Sequence, residues 1–215
     1  MMKGYIFDLD GVIVDTAKFH FLAWKKTARY FGFDLTEALN EKLKGVSRVD
    51  SLKKILDWAG TTISEDEFEK LATEKNEDYL QYVNKMTSKD VLPGVYEFIE
   101  KLKKEGCPVA LGSASKNAPK ILKKTGLYDM FDAIVDGNSV TKAKPDPEVF
   151  LIAARKIGVK PEHCIVFEDS EAGIEAANVA GMTSIGIGDK RVLIDADQVF
   201  SNFIEIKEKF INQLH

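Results

Sequence analysis

The chain has 215 residues, 45% of them hydrophobic and 30% charged, with a formal net charge of -4. That is long for one simple domain and short for two, so a single core carrying an insertion is expected. The negative balance argues against a nucleic-acid partner, and no apolar run approaches the ~20 residues that a membrane span needs.

In chain order, residues 3–8 form a short apolar strand that ends abruptly in Asp8-Leu9-Asp10-Gly11. The N-terminal stretch has no apolar run of signal-peptide length, so a cytoplasmic protein is expected. From residue 15 the pattern is helical. Residues 17–31 place Phe21, Trp24 and Ala28 at helical spacing, and 53–59 and 66–83 are amphipathic. Residues 15–87 are therefore expected to be an all-helical cap domain, inserted into a core made of 1–14 and 88–215.

Beyond residue 91 strands and helices alternate. Helices are expected over 93–104, 118–125, 147–157, 172–180 and 202–211, several closed by glycine. Strands are expected over 107–111, 133–135, 164–167 and 184–187. This alternation predicts an α/β fold, a doubly wound parallel sheet with the helical cap set after its first strand. Cys107 and Cys164 lie in two of the apolar runs without zinc-like spacing, and read as buried free thiols.

Parallel α/β sheets bind ligands at the carboxyl ends of their strands. There this sequence places Asp8 and Asp10, then Ser113-Ala114-Ser115-Lys116-Asn117, then Lys144-Pro145, then Glu168-Asp169. Clustered carboxylates repel unless a cation joins them, and a hard ion with oxygen ligands, Mg2+, suits them. A carboxylate beside such an ion can attack a phosphoryl group, and a second one can move the proton. Ser113 and Lys144 are candidates to hold the transferring oxygens. Each motif alone is weak, and the ordered set of four at strand ends points to phosphoryl transfer. Lys142 competes with Lys144 for the phosphate role.

These four signatures resemble those of the haloacid dehalogenase-like superfamily of phosphotransferases. The segments MMKGYIFDLDGVIVDTAKFHFLAW, LKGVSRVDSLKKIL, SASKNAPKIL and FEDSEAGIEA narrow the likeness to its phosphomutases acting on beta-glucose 1-phosphate and glucose 6-phosphate. Asp146 stands where the resemblance would place a small residue.

The resemblance implies Asp8 as nucleophile and Asp10 as general acid/base. It implies Mg2+ on Asp8, the Asp10 carbonyl and Asp169, with Glu168 in contact directly or through water. It assigns Ser113, Ala114 and Lys144 to the transferring phosphoryl group, and Arg48, Ser115, Lys116 and Asn117 to a second phosphate. Thr16 and His20 would form a hinge linking cap closure to Asp10, with Trp24, Lys44, Gly45, Val46 and Ser47 lining a sugar pocket. The implied partner is a sugar phosphate, and a monomer is expected.

Blander readings stand beside these. Trp24 with Phe21 and Ala28 is equally a core stripe, Arg48 alone is a solvated charge, and His163 and His215 are given no role. A sugar-phosphate phosphatase of the same fold is the first rival function. A receiver-type signalling module is the second, and it would carry its reactive Asp on a middle strand without a helical insertion.

Overall fold

The computed structural model describes residues 2–206. Its six-stranded sheet contains β1 (Gly4–Phe7), β2 (Val109–Gly112), β3 (Ala133–Val135), β4 (Cys164–Glu168), β5 (Thr183–Ile187) and β6 (Gln198–Phe200). The order is β3-β2-β1-β4-β5-β6 and every pairing is parallel. This is the expected doubly wound fold. Strand order reverses between β1 and β4, so the crevice at their carboxyl ends is where a ligand belongs.

Helices α5 (Val95–Lys104), α6 (Ala118–Thr125), α7 (Glu148–Lys156) and α8 (Glu171–Val179) connect the later strands. Alternation along β1 feeds two cores. Tyr5 and Phe7 join Val109, Leu111, Ile165, Phe167 and the apolar faces of α5 and α6 on one side. Ile6 joins Ala110, Val166 and the faces of α7 and α8 on the other. Phe7 stacks on Phe167 at 4.7 Å, and Phe98 and Phe203 close the aromatic cluster.

Between β1 and α5 run α1 (Ala17–Tyr30), α2 (Glu37–Glu41), α3 (Arg48–Ala59) and α4 (Glu65–Val83). They have a core of their own, around Trp24, Ala28, Leu35, Leu52, Ile55 and Leu71. The two crossings between this block and the sheet run side by side. Val14 bridges both Asp10 and Val91, and Leu92 N–H donates to the Ile13 carbonyl at 2.8 Å.

Some elements differ from expectation. The helix expected from residue 53 begins at Arg48, because Ser47 caps it by accepting from Asp50 N–H, and its polar first turn hides the apolar period. The strand expected from Cys107 begins at Val109. Cys107 N–H donates to Leu102 in the α5 cap, and Pro108 has no donor for a ladder. Both thiols are free and buried.

Helix α2 and strand β6 were too short to register as periodic patterns. Of the helix expected over 202–211, residues 202–206 form turns instead. There the Asn202 side chain accepts from Ile204 N–H and Glu205 accepts from Ser201 N–H, and such local bonds compete with a helix. Residues 207–211 and His215 lie outside the described residues. Among the described residues no helix is long and apolar enough to cross a membrane.

Phe98 lies at the centre of the aromatic cluster and away from the crevice. Phe98→Ala should cost about 3–5 kcal/mol, read as a lowered midpoint in denaturant unfolding at an unchanged m-value.

Candidate active site

A cavity of about 480 Å³ lies between the sheet's carboxyl edge and the helical block. Asp8, Asp10, Ser113, Lys144 and Asp169 line it from the sheet, and His20, Trp24, Lys44, Arg48, Lys75 and Asn76 from the block. All of the expected site residues except Thr16 and Glu168 reach it directly.

Asp8 continues β1 into the crevice. Gly11, at φ +81, turns the chain there, and a Cβ at that position would come 2.0 Å from an Asp169 carboxylate oxygen. The turn can therefore close on Asp169 only with glycine.

Lys144, not Lys142, reaches the reactive end. Its Nζ donates to Asp8 Oδ1 and to Glu168 Oε1, both at 2.6 Å, and it is almost wholly buried. Lys142 stays exposed and pairs with Asp146 at 3.3 Å. Asp146, the unexpected residue, also accepts from Glu148 N–H at the start of α7.

Glu168 is fully buried. Beyond the lysine it accepts from the Ser170 backbone N–H and hydroxyl, both at 2.8 Å. Both its oxygens are thus engaged, and they anchor Lys144 and the start of α8.

Burial raises the Asp8 carboxyl to about 7 against the pull of Lys144. Burial also pushes Asp169 well above the usual carboxylate range, with Glu168 adding to the push and Lys44 opposing it. Two buried acids held high, with oxygen donors only, form a site that a hard divalent cation would return to carboxylates. Among the described residues no three acidic, His or Cys side chains close on one point. A set made of two carboxylates, a backbone carbonyl and water is consistent with that, so Asp8, the Asp10 carbonyl and Asp169 fit Mg2+.

Asp10 turns away from Asp8. Its Oδ1 accepts a short hydrogen bond from the buried Thr16 hydroxyl and a longer one, 3.4 Å, from Tyr79. His20 Nε2 stands 3.7 Å from the same oxygen, beyond hydrogen-bond distance, and has no hydrogen-bond partner among the described residues. Burial alone would raise Asp10, and His20, Thr16 and Lys75 together hold it low.

The Ser113–Asn117 segment crosses the sheet's edge. Ser115 N–H donates to the Ser113 hydroxyl and Asn117 N–H to that of Ser115. Asn117 Nδ2 reaches across the cavity to Asn76 Oδ1 at 2.9 Å. Arg48 opens α3 and has no acidic partner among the described residues, an arrangement that leaves its charge available to an anion.

Three residues of α4 were not foreseen. Lys75, Asn76 and Tyr79 lie on the helix's inward side. Lys75 is buried, contacts His20 Nδ1 at 3.0 Å and rests 4.4 Å over the Trp24 ring. With Nδ1 accepting, Nε2 carries the proton that faces Asp10. Trp24 serves as both core and cavity wall. The signal for Lys75 lay in the buried stripe Leu71, Lys75, Tyr79, Val83, where a cation interrupts an apolar i, i+4 repeat.

Burial, reinforced by Arg48, lowers the Lys75 ammonium from 10.5 to about 7. An unfolded Lys75 keeps its proton up to about pH 10.5. Between those values the unfolded chain binds the extra proton, so stability rises with pH, by at most about 1.4 kcal/mol per pH unit. Below the lower value the burden of charging the buried amine is fully present. Lys75→Met should flatten this rise, seen as a smaller stability gain from about pH 7 to about pH 10 than the parent's in paired denaturant titrations.

Comparison with known proteins follows the same lines. The haloacid dehalogenase-like hydrolase family matches residues 2–181. The chain is 45% identical over 200 residues to a beta-phosphoglucomutase of Bacillus subtilis, covering 92% of this chain and 88% of that one. It is 32% identical to a phosphorylated carbohydrates phosphatase of Thermotoga maritima, over 92% and 93%. Its structure superposes on the crystal structure of a beta-phosphoglucomutase from Clostridium difficile with a TM-score of 0.95, at 40% identity, covering 100% and 97%.

Proposed function

We propose that this chain, which belongs to the haloacid dehalogenase-like hydrolase family, is a beta-phosphoglucomutase interconverting beta-D-glucose 1-phosphate and D-glucose 6-phosphate. Its likeness to enzymes of that activity along nearly its whole length, helical block included, carries the reading. Cationic groups at both ends of one cavity support it. Lys144 lies beside Asp8, and Arg48 faces in from the block.

In this reading Asp8 is the nucleophile. One of its oxygens attacks phosphorus, the bond from phosphorus to the sugar oxygen breaks, and Asp10 gives that oxygen a proton. In the return step Asp10 takes the proton from a sugar hydroxyl as that oxygen attacks the aspartyl phosphate. The return step makes the sugar carrying both phosphates, beta-glucose 1,6-bisphosphate, which turns over in the cavity before Asp8 attacks its other phosphate.

Lys144, Ser113 and the Ala114 backbone bind the oxygens of the phosphoryl group in transit. Arg48, with Ser115, Lys116 and Asn117, holds the phosphate that does not react. Asp8, the Asp10 carbonyl and Asp169 would hold Mg2+, which would supply charge neutralisation as the phosphoryl group transfers. Glu168 acts on it indirectly, by fixing Lys144 and the turn that carries Asp169.

The helical block, residues 15–87, works as the cap. It excludes water, and the grip of Thr16 and His20 on Asp10 keeps the proton carrier away from Asp8 until a sugar phosphate binds. We assign a monomer working in the cytoplasm on soluble sugar phosphates; the cavity is lined from within one chain. The phosphatase relatives share the fold, and what separates the two activities is which hydroxyl meets the phosphoaspartate.

Asp8→Asn should abolish turnover while leaving the unfolding transition in place, and a rate within tenfold of the parent, by coupled assay, would exclude the nucleophile assignment. Given Mg2+, beta-glucose 1-phosphate and a trace of the bisphosphate, the parent should release glucose 6-phosphate much faster than inorganic phosphate. The reverse ratio would make it a phosphatase. Arg48→Ala should cost the mutase reaction about 2–5 kcal/mol and hydrolysis of a small aryl phosphate far less, because that substrate has no second phosphate. Equal losses would make Arg48 structural.

A further inference from the structure

The loop between α2 and α3 reaches from the helical block onto the turn after β4. Lys44 Nζ stands 3.5 Å from Asp169 Oδ2, and 2.9 Å from Glu41 Oε2 on its own side of the gap. The next residue, Gly45, has φ +69, and a Cβ there would come 2.5 Å from Ser170 Oγ. That hydroxyl caps α8 and holds Glu168. The block therefore rests directly on the Glu168–Ser170 segment, by one ion pair and one close backbone approach. Lys44 is the only ion-pair partner of Asp169 among the described residues, and the Asp169 side chain is only 10% exposed.

We propose that Lys44 competes with the divalent cation for Asp169, so that seating of the loop on this turn and filling of the metal site oppose each other. The inference rests on the assignment of Asp169 as a metal carboxylate. One buried carboxylate cannot fully satisfy an ammonium and a divalent ion at once, since the two cations repel at contact distance. When the ion binds, Lys44 loses its hold and falls back on Glu41, which is already within reach.

Linkage makes the effect reciprocal. Whatever Lys44 takes from metal affinity, the metal takes from the docking of the loop. A phosphorylated substrate in the cavity offers Lys44 a new anion, which removes the conflict and lets metal and closed cap coexist. The consequence is an order of events in which metal enters first and loosens the loop, and substrate then closes it.

Calorimetric titration of Mg2+ into the full-length protein without substrate tests this. Lys44→Met should bind Mg2+ about fivefold more tightly than the parent, the scale of a partly exposed ion pair. Lys44→Arg, which keeps the charge, should match the parent. Hydrogen exchange of residues 43–46 should speed up on adding Mg2+ to the parent and stay unchanged in Lys44→Met. Equal or weaker Mg2+ binding by Lys44→Met overturns the competition, as does tighter binding by Lys44→Arg. Asp169→Asn separates the two assignments. If it binds Mg2+ like the parent, the metal role of Asp169 fails. If it loses Mg2+ while Lys44→Met is unchanged, only the competition fails.

Discussion

The hydrogen-bonded bridge from Lys144 to Asp8 and Glu168 is the interaction on which the rest of the site depends. Asp8 and Glu168 end adjacent strands of one sheet, and both are buried. Two carboxylates so placed would drive each other toward protonation. A single ammonium at 2.6 Å from each offsets that repulsion and ties β1, β4 and the loop before α7 together. The bridge leaves Asp169 without a share of Lys144, and burial, with Glu168 beside it, holds Asp169 well above the ordinary carboxylate range.

A second constraint acts across the cavity. Asp10 follows Asp8 by two residues, yet its carboxylate belongs to the helical block, held by Thr16 and Tyr79 and faced by His20. Lys75 stands behind His20 and fixes which ring nitrogen faces Asp10. The Asp10 carboxylate is thus positioned by the helical block, while that of Asp8 is positioned by the sheet and Lys144. Under the proposed function, this separation is what would discriminate a sugar hydroxyl from water.

Much of this could be read before the structure. The strand-end positions of Asp8, Ser113 and Asp169 follow from a short apolar run stopping at a polar residue, a pattern that needs only neighbours in sequence. The roles given to Arg48, Thr16 and His20 came from resemblance to a family, because an arginine beside a serine and a glycine has no chemistry of its own. Lys75 was missed because a lysine in a helix reads as solvated unless the packing on both sides is known, and here Trp24, His20 and Tyr79 come from two different helices. Glu168 was expected near the ion, and its partners, Lys144 and Ser170, could not be foreseen from a Glu-Asp pair.

The sequence by itself determined the alternation of strands and helices, the insertion after the first strand and the order of the polar strand ends. Those depend on periodicity and on turn residues, which are local. Only the tertiary structure decided what Lys144 bridges, where Asp10 points and what Lys44 touches. Each of those is a contact between groups 6 to 136 residues apart. Its partner is set by the sheet order and by how the helical block is laid on the sheet, and no local pattern carries that information.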